Sequence, residues 1–124
     1  MEKKLVLIVD DEKSIIEHVS SILKYSGLEV ISSERGEEAL RLAEERKPDL
    51  IILDINLPDI DGGELANRLS QKEETKNIPI IYLTGLVTKE EREEPQKAGR
   101  HFLIAKPVLK GELLSLVSKA LAES

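Results

Sequence analysis

Five polar side chains each close an apolar run: Asp10 and Asp11 after Leu5–Val9, Asp54 after Leu50–Leu53, Thr84 after Ile78–Leu83, and Lys106 after Phe102–Ala105. If those ends converge, the three carboxylates repel one another by about 4 kcal/mol per pair at roughly 4 Å and an effective dielectric of about 20. Something cationic should relieve this. Oxygen ligands alone favour a hard ion, and Mg²⁺ is typically held by one or two carboxylates, waters and a phosphate oxygen. No histidine is placed to make a transition-metal site. Lys106, the Thr84 hydroxyl and a metal acquire a shared target if the ligand is a phosphoryl group.

The hydrophobic pattern says which elements must position these groups. Leu50–Leu53 does not alternate, so as a strand it is buried on both faces, the habit of the middle of a parallel sheet. Leu5–Val9 is a second such run, Leu28–Ser32 a weaker one, and Ile78–Thr84 and Phe102–Ala105 complete a set of five, with Pro79 tolerated at a strand beginning. Helical spacing fills the intervals. Ser14 and Glu17 form a capping-box pair ahead of Ile15, Val19 and Ile22, and Gly27 stands where a left-handed C-cap is wanted. Glu37–Arg46 turns Ala39, Leu40 and Ala43 inward, spaces Glu37 and Arg41 as an i,i+4 pair, and stops before Pro48. A short helix from about Gly63 has Asp61 and Glu64 as cap and N3 partners, with Leu65 and Leu69 inward. Thr88–Ala98 opens like a helix but carries Pro95 inside it, at a cost of about 3 kcal/mol, which predicts a kinked, shortened or mobile element. Leu109 to Leu121 keeps a helical period. Tyr25, Tyr82 and Phe102 read as packing, His18 and His101 as solvated, and Glu90–Glu94 as a wet helix face.

Strands alternating with helices throughout imply an α/β, doubly wound parallel sheet with right-handed crossovers and helices on both faces. The carboxyl ends of all strands then share one edge, where open α/β sheets bind ligands. At 124 residues the chain is one domain, residues 1–124. Its 40% hydrophobic and 34% charged content excludes disorder, and no run approaches the ~20 apolar residues of a spanning helix, so no membrane insertion is expected. No secretory signal opens the chain and there is no cysteine, which fits a cytoplasmic location. A net charge of −6 argues against direct nucleic-acid contact and leaves proteins or small ligands as partners.

Val9-Asp10-Asp11-Glu12, the stretch Leu53 to Gly62, Leu83-Thr84-Gly85 and Ala105-Lys106-Pro107 together resemble the response-regulator receiver domain of two-component signalling, along essentially the whole chain. The resemblance implies a flavodoxin-like sheet of order 2-1-3-4-5. It also implies a domain that accepts a phosphoryl group from a sensor histidine kinase or histidine phosphotransfer protein, with Mg²⁺, and signals to a downstream output protein or domain. Carried over by position, Asp54 is the acceptor, Asp11 and Asp54 are metal ligands, Asn56 gives its backbone carbonyl, and Asp10 binds through water. Lys106 would pair with the phosphoryl oxygens and Thr84 would hydrogen-bond them. The Lys106–Pro107 bond resembles the family's cis peptide. Leu103 occupies a position where receivers commonly carry an aromatic, and Phe102 beside it has the opposite strand parity, so aromatic signalling there is not expected. A haloacid-dehalogenase-type phosphatase is an alternative that fits less well, since Asp54-Ile55-Asn56 lacks that family's second acid. A receiver that binds partners without phosphate is another. No effector segment follows Ser124, so a stand-alone receiver and a piece of a larger regulator or hybrid kinase are both expected forms.

Overall fold

Apolar runs become strands where the backbone can ladder on both sides, and in the computed structural model, which describes residues 3–85 and 101–123, five of them do. They are β1 (Leu5–Val9), β2 (Glu29–Ser33), β3 (Leu50–Asp54), β4 (Ile80–Thr84) and β5 (His101–Ala105), all parallel, in the order β2-β1-β3-β4-β5. Among the described residues the helices are α1 (Lys13–Tyr25), α2 (Gly36–Arg46), α3 (Gly62–Ser70) and α4 (Lys110–Glu123). The Pro95-bearing helix expected over Thr88–Ala98 lies outside the described residues. β4 starts two residues later than the apolar run because the Ile78 N–H is taken by the Thr75 carbonyl at 3.1 Å and Pro79 has no N–H to give.

The period of two sorts the core into layers. Val6, Ile8, Ile52, Ile81 and Ile104 pack under α1 and α4, while Leu7, Val9, Ile51, Leu53 and Ile80 pack under α2 and α3. β3 is buried along its whole length, as an unbroken apolar run requires. Phe102 lies in the α1/α4 layer, and Leu103, of opposite parity, pairs with Tyr82 in the ladder. Tyr25, expected to pack, is instead 87% exposed at the end of α1, with the Lys110 ammonium 5.6 Å from its ring centre.

Helix ends show where local spacing misleads. The Ser14–Glu17 box does not open α1: the Asp10 carboxylate accepts the Glu12 N–H at 2.9 Å, and the helix begins at Lys13. Its other end closes as expected, with Gly27 at φ 90° and the Gly27 and Leu28 N–H groups donating to Lys24 and Leu23, both at 3.0 Å. Asp61 caps α3 by accepting from Gly63 at 2.7 Å, but Glu64 pairs with Arg68 at 3.3 Å rather than folding back. Arg68 also takes Glu37 at 3.0 Å, so the expected Glu37–Arg41 pair is replaced, and Arg41 joins Glu45 at 3.2 Å. The Lys106–Pro107 peptide is cis, as the resemblance implied.

The start of α2 is capped from elsewhere in the chain. Arg35, at the N-cap, offers no side-chain bond, and Asp59 accepts the N–H groups of Gly36 at 2.8 Å and Glu37 at 3.0 Å. The Glu37 N–H, and then that of Gly36, hold the Asp59 carboxyl below its ordinary value. A carboxyl depressed by folding contributes stability above its unfolded pKa and loses it as pH falls through the folded one. Asp59→Ala should therefore cost about 1 kcal/mol at pH 7, with the deficit fading in acid. Urea melts at neutral and acid pH check this, and unchanged midpoints at pH 7 would remove Asp59 from the role.

Candidate functional site

Four of the five strands deliver a polar residue, at their last position or just past it, to one edge. The Asp10 N–H donates to Ser33 at 3.1 Å, one step beyond the β1–β2 ladder, so the residue is still held by the sheet and its side chain is fully buried. Its Oδ1 accepts from the Glu12 N–H, and its Oδ2 faces Lys106 Nζ at 3.1 Å in an ion pair outside hydrogen-bond geometry. Asp11 and Glu12 follow on the surface. Asp10, Asp11 and Glu12 each offer a carboxylate oxygen, all within 4.8 Å of one another.

Asp54 ends β3, buried, with Oδ1 accepting from the Asn56 N–H at 3.2 Å and Oδ2 lying 3.6 Å from Lys106 Nζ. The next residue, Ile55, is anchored by donating to the Leu83 carbonyl at 3.2 Å. Leu83 is Asp54's ladder partner, so buried Thr84 stands one step further along the adjacent strand. The Thr84 carbonyl accepts the Lys106 N–H at 2.8 Å, fixing where the lysine leaves β5. The Lys106 side chain is 18% exposed, and its Nζ lies 3.1 Å from Asp10, 3.5 Å from Glu12 and 3.6 Å from Asp54. Asn56 borders, with Asp11, Pro58 and Asp59, an open groove of about 460 Å³.

Every residue singled out from the sequence thus stands at the carboxyl edge. Two participants were not singled out. Glu12 was visible as the third acid in a row, but only the fold shows that it reaches Lys106. Gly62 lets α3 begin directly on the end of β3: its N–H donates to Ile55 at 2.9 Å, and a Cβ there would lie 2.7 Å from Ile55 Cα.

The electrostatics are those of too many acids for one amine. Burial raises the Asp10 carboxyl above its ordinary value, the Asp54 charge adding to it, against the opposing pull of the Glu12 N–H and Lys106. Burial likewise raises Asp54, with Asp11 adding to it and the Asn56 N–H and Lys106 opposing. Burial alone would lower Lys106, but Asp10 above all, then Asp54 and Glu12, outweigh it and hold the ammonium charged. An all-oxygen donor set, a buried Asp10 Oδ2 without a hydrogen-bond donor, and a surplus of negative charge fit a hard divalent cation.

Comparison with known proteins agrees with this geometry. Residues 6–118 match the family described as the response regulator receiver domain. The polar-differentiation response regulator DivK of Brucella anthropi is 32% identical over 98% of this chain and 98% of its own. The chemotaxis protein CheY4 of Vibrio cholerae superposes with a TM-score of 0.84 at 32% identity, over 97% of this chain and 100% of that one. The receiver domain of the sensor histidine kinase PA1611 from Pseudomonas aeruginosa, whose structure has a magnesium ion coordinated in the active-site cleft, superposes at 0.84 with 27% identity, over 98% and 99% of the two chains.

Proposed function

Because the chain belongs to the response-regulator receiver family of two-component signalling, we propose that residues 1–124 act as one domain that accepts a phosphoryl group on Asp54. The donor is a phosphohistidine on a sensor histidine kinase or histidine phosphotransfer protein in the cytoplasm, and the recipient of the signal is a downstream output protein or domain. One observation carries this reading: a single charged amine, Lys106, reaches both the buried acid of β1 and the buried acid of β3 at 3.1 and 3.6 Å. No described helix is long and apolar enough to cross a membrane.

In the transfer, a carboxylate oxygen of Asp54 attacks phosphorus in line, an O–P bond forms, the N–P bond breaks, and the histidine ring leaves with its electron pair. Lys106, held protonated by its acidic neighbours, then turns from Asp10 and Asp54 to the phosphoryl oxygens. Asp11, Asp54 and the Asn56 carbonyl would hold Mg²⁺, with Asp10 acting through water, and the ion would supply positive charge against the transferred group. The remaining work is positional, done by the Ile55 and Lys106 main-chain anchors. The acyl phosphate carries about −1.5 to −2 charge in place of the single charge of the carboxylate, and Thr84 drawn toward it shifts the domain between two populations.

The test is incubation with acetyl phosphate and Mg²⁺ followed by intact mass measurement. Wild type should gain one phosphoryl group and Asp54→Ala none. No gain in wild type, or an equal gain in the variant, contradicts the assignment.

A further inference from the structure

We infer that His18 is a positioning residue for Lys106, acting through the main chain that follows it. Expected to be merely solvated, His18 is exposed on α1, yet its Nε2 lies 2.9 Å from the carbonyl oxygen of Val108, 90 residues away. A carbonyl can only accept, so Nε2 carries the hydrogen and donates it. Val108 is buried in the α1/α4 layer. The backbone of Lys106 is therefore held on both sides: at its own N–H by the Thr84 carbonyl at 2.8 Å, and two residues on by α1. Pro107 between them has no N–H with which to add a third tie.

The significance lies in where α1 begins. The same helix starts on the Asp10 carboxylate through the Glu12 N–H, and its inner face, Val19, Ile22 and Leu23, is packed on the sheet. Acids and amine are thus referenced to one rigid rod: Asp10 and Glu12 at its head, and the Lys106 loop at His18. A lysine stem has several free torsions, so the 3.1 Å and 3.5 Å separations from Asp10 and Glu12 depend on where the loop is pinned. Without that bond the ammonium samples a wider volume and meets the phosphoryl oxygens less often.

The kinetic part of this inference rests on the acceptor role of Asp54; the positional part does not. His18→Leu should slow phosphoryl uptake from acetyl phosphate roughly 2- to 10-fold, the size of one lost hydrogen bond. His18→Gln, whose amide can donate at similar reach, should restore it. In a Lys106→Ala background the leucine substitution should change the residual rate no further, which a general loss of packing would not reproduce. With ¹³C-labelled lysine, the Lys106 side-chain signal of the unphosphorylated protein should move or broaden in His18→Leu and return in His18→Gln. If wild type takes up no phosphoryl group, the acceptor assignment fails while the lysine signal still tests the tie. An unmoved Lys106 signal, or an equal slowing with and without Lys106, overturns the inference.

Discussion

Replacing Lys106 with alanine is expected to lower the metal-free unfolding free energy at pH 7 by about 3 kcal/mol, the cost of stranding a buried charge. The stranded group is Asp10, fully buried with Asp54 nearby, and among the described residues Lys106 is the cation within 4 Å of both. The deficit should depend on pH in a defined direction. Asp10 and Asp54 already have pKa values raised above 3.8 by burial. A carboxyl raised by folding favours the fold while protonated, and that contribution is lost as pH rises from the unfolded value through the folded one. The variant should therefore be weakest at neutral pH and approach wild type as acidification protonates the two acids. The mirror experiment is Asp54→Asn, which removes a buried charge and should stabilise the metal-free protein by on the order of 1 kcal/mol. Millimolar Mg²⁺ should raise the melting temperature of wild type, since binding to the native state alone stabilises it. Urea and thermal melts at two pH values read all three. A pH-independent deficit in Lys106→Ala together with a destabilised Asp54→Asn would show that the acids do not repel as described.

Gly62→Ala should be as costly for a steric reason. The added Cβ would lie 2.7 Å from Ile55 Cα, 2.8 Å from the Asp54 carbonyl and 3.0 Å from that of Ile55, all main-chain atoms that cannot rotate aside. Overpacking of this kind costs about 3 kcal/mol. The displacement falls on Asp54, the proposed acceptor, so phosphoryl uptake should drop by roughly 10- to 100-fold, as for a catalytic group misplaced by up to about 1 Å. Gly111→Ala is the control, because nothing lies within 4 Å of its Cβ and the site is helical. It should leave uptake unchanged and stability equal or slightly higher. A Gly62→Ala protein with wild-type midpoint and uptake would mean that α3 does not sit on β3 as closely as described.

Four of the strands were legible in the sequence because burial leaves a nearly unbroken apolar run, and the edge was legible because each of those four runs ended on a polar group; β2, mostly exposed or half-buried, gave the weaker signal. β3 shows both: Leu50–Leu53 is buried throughout and Asp54 terminates it. What local spacing could not show was partnership through space. Asp59 looks like an ordinary loop acid, yet it caps a helix beginning 23 residues earlier. Glu37 has a suitable basic residue four positions on, but Arg68 of a neighbouring helix takes it. The Ser14–Glu17 spacing was a valid capping pattern that lost to the bond between Asp10 and Glu12, set by the sheet. His18 carried no signal at all, since its partner is a main-chain carbonyl and any residue type supplies one.

The segment joining β3 to α3 is fastened at Asp59 to α2 and at Gly62 to the end of β3. Two fixed rivets make its span a gauge rather than a tether: one amino acid added between Asp54 and Gly62 would spring one rivet or the other. An inserted residue here should therefore be tolerated less well than a substitution away from Asp59, Asp61 and Gly62, and tags or grafted epitopes belong on other loops.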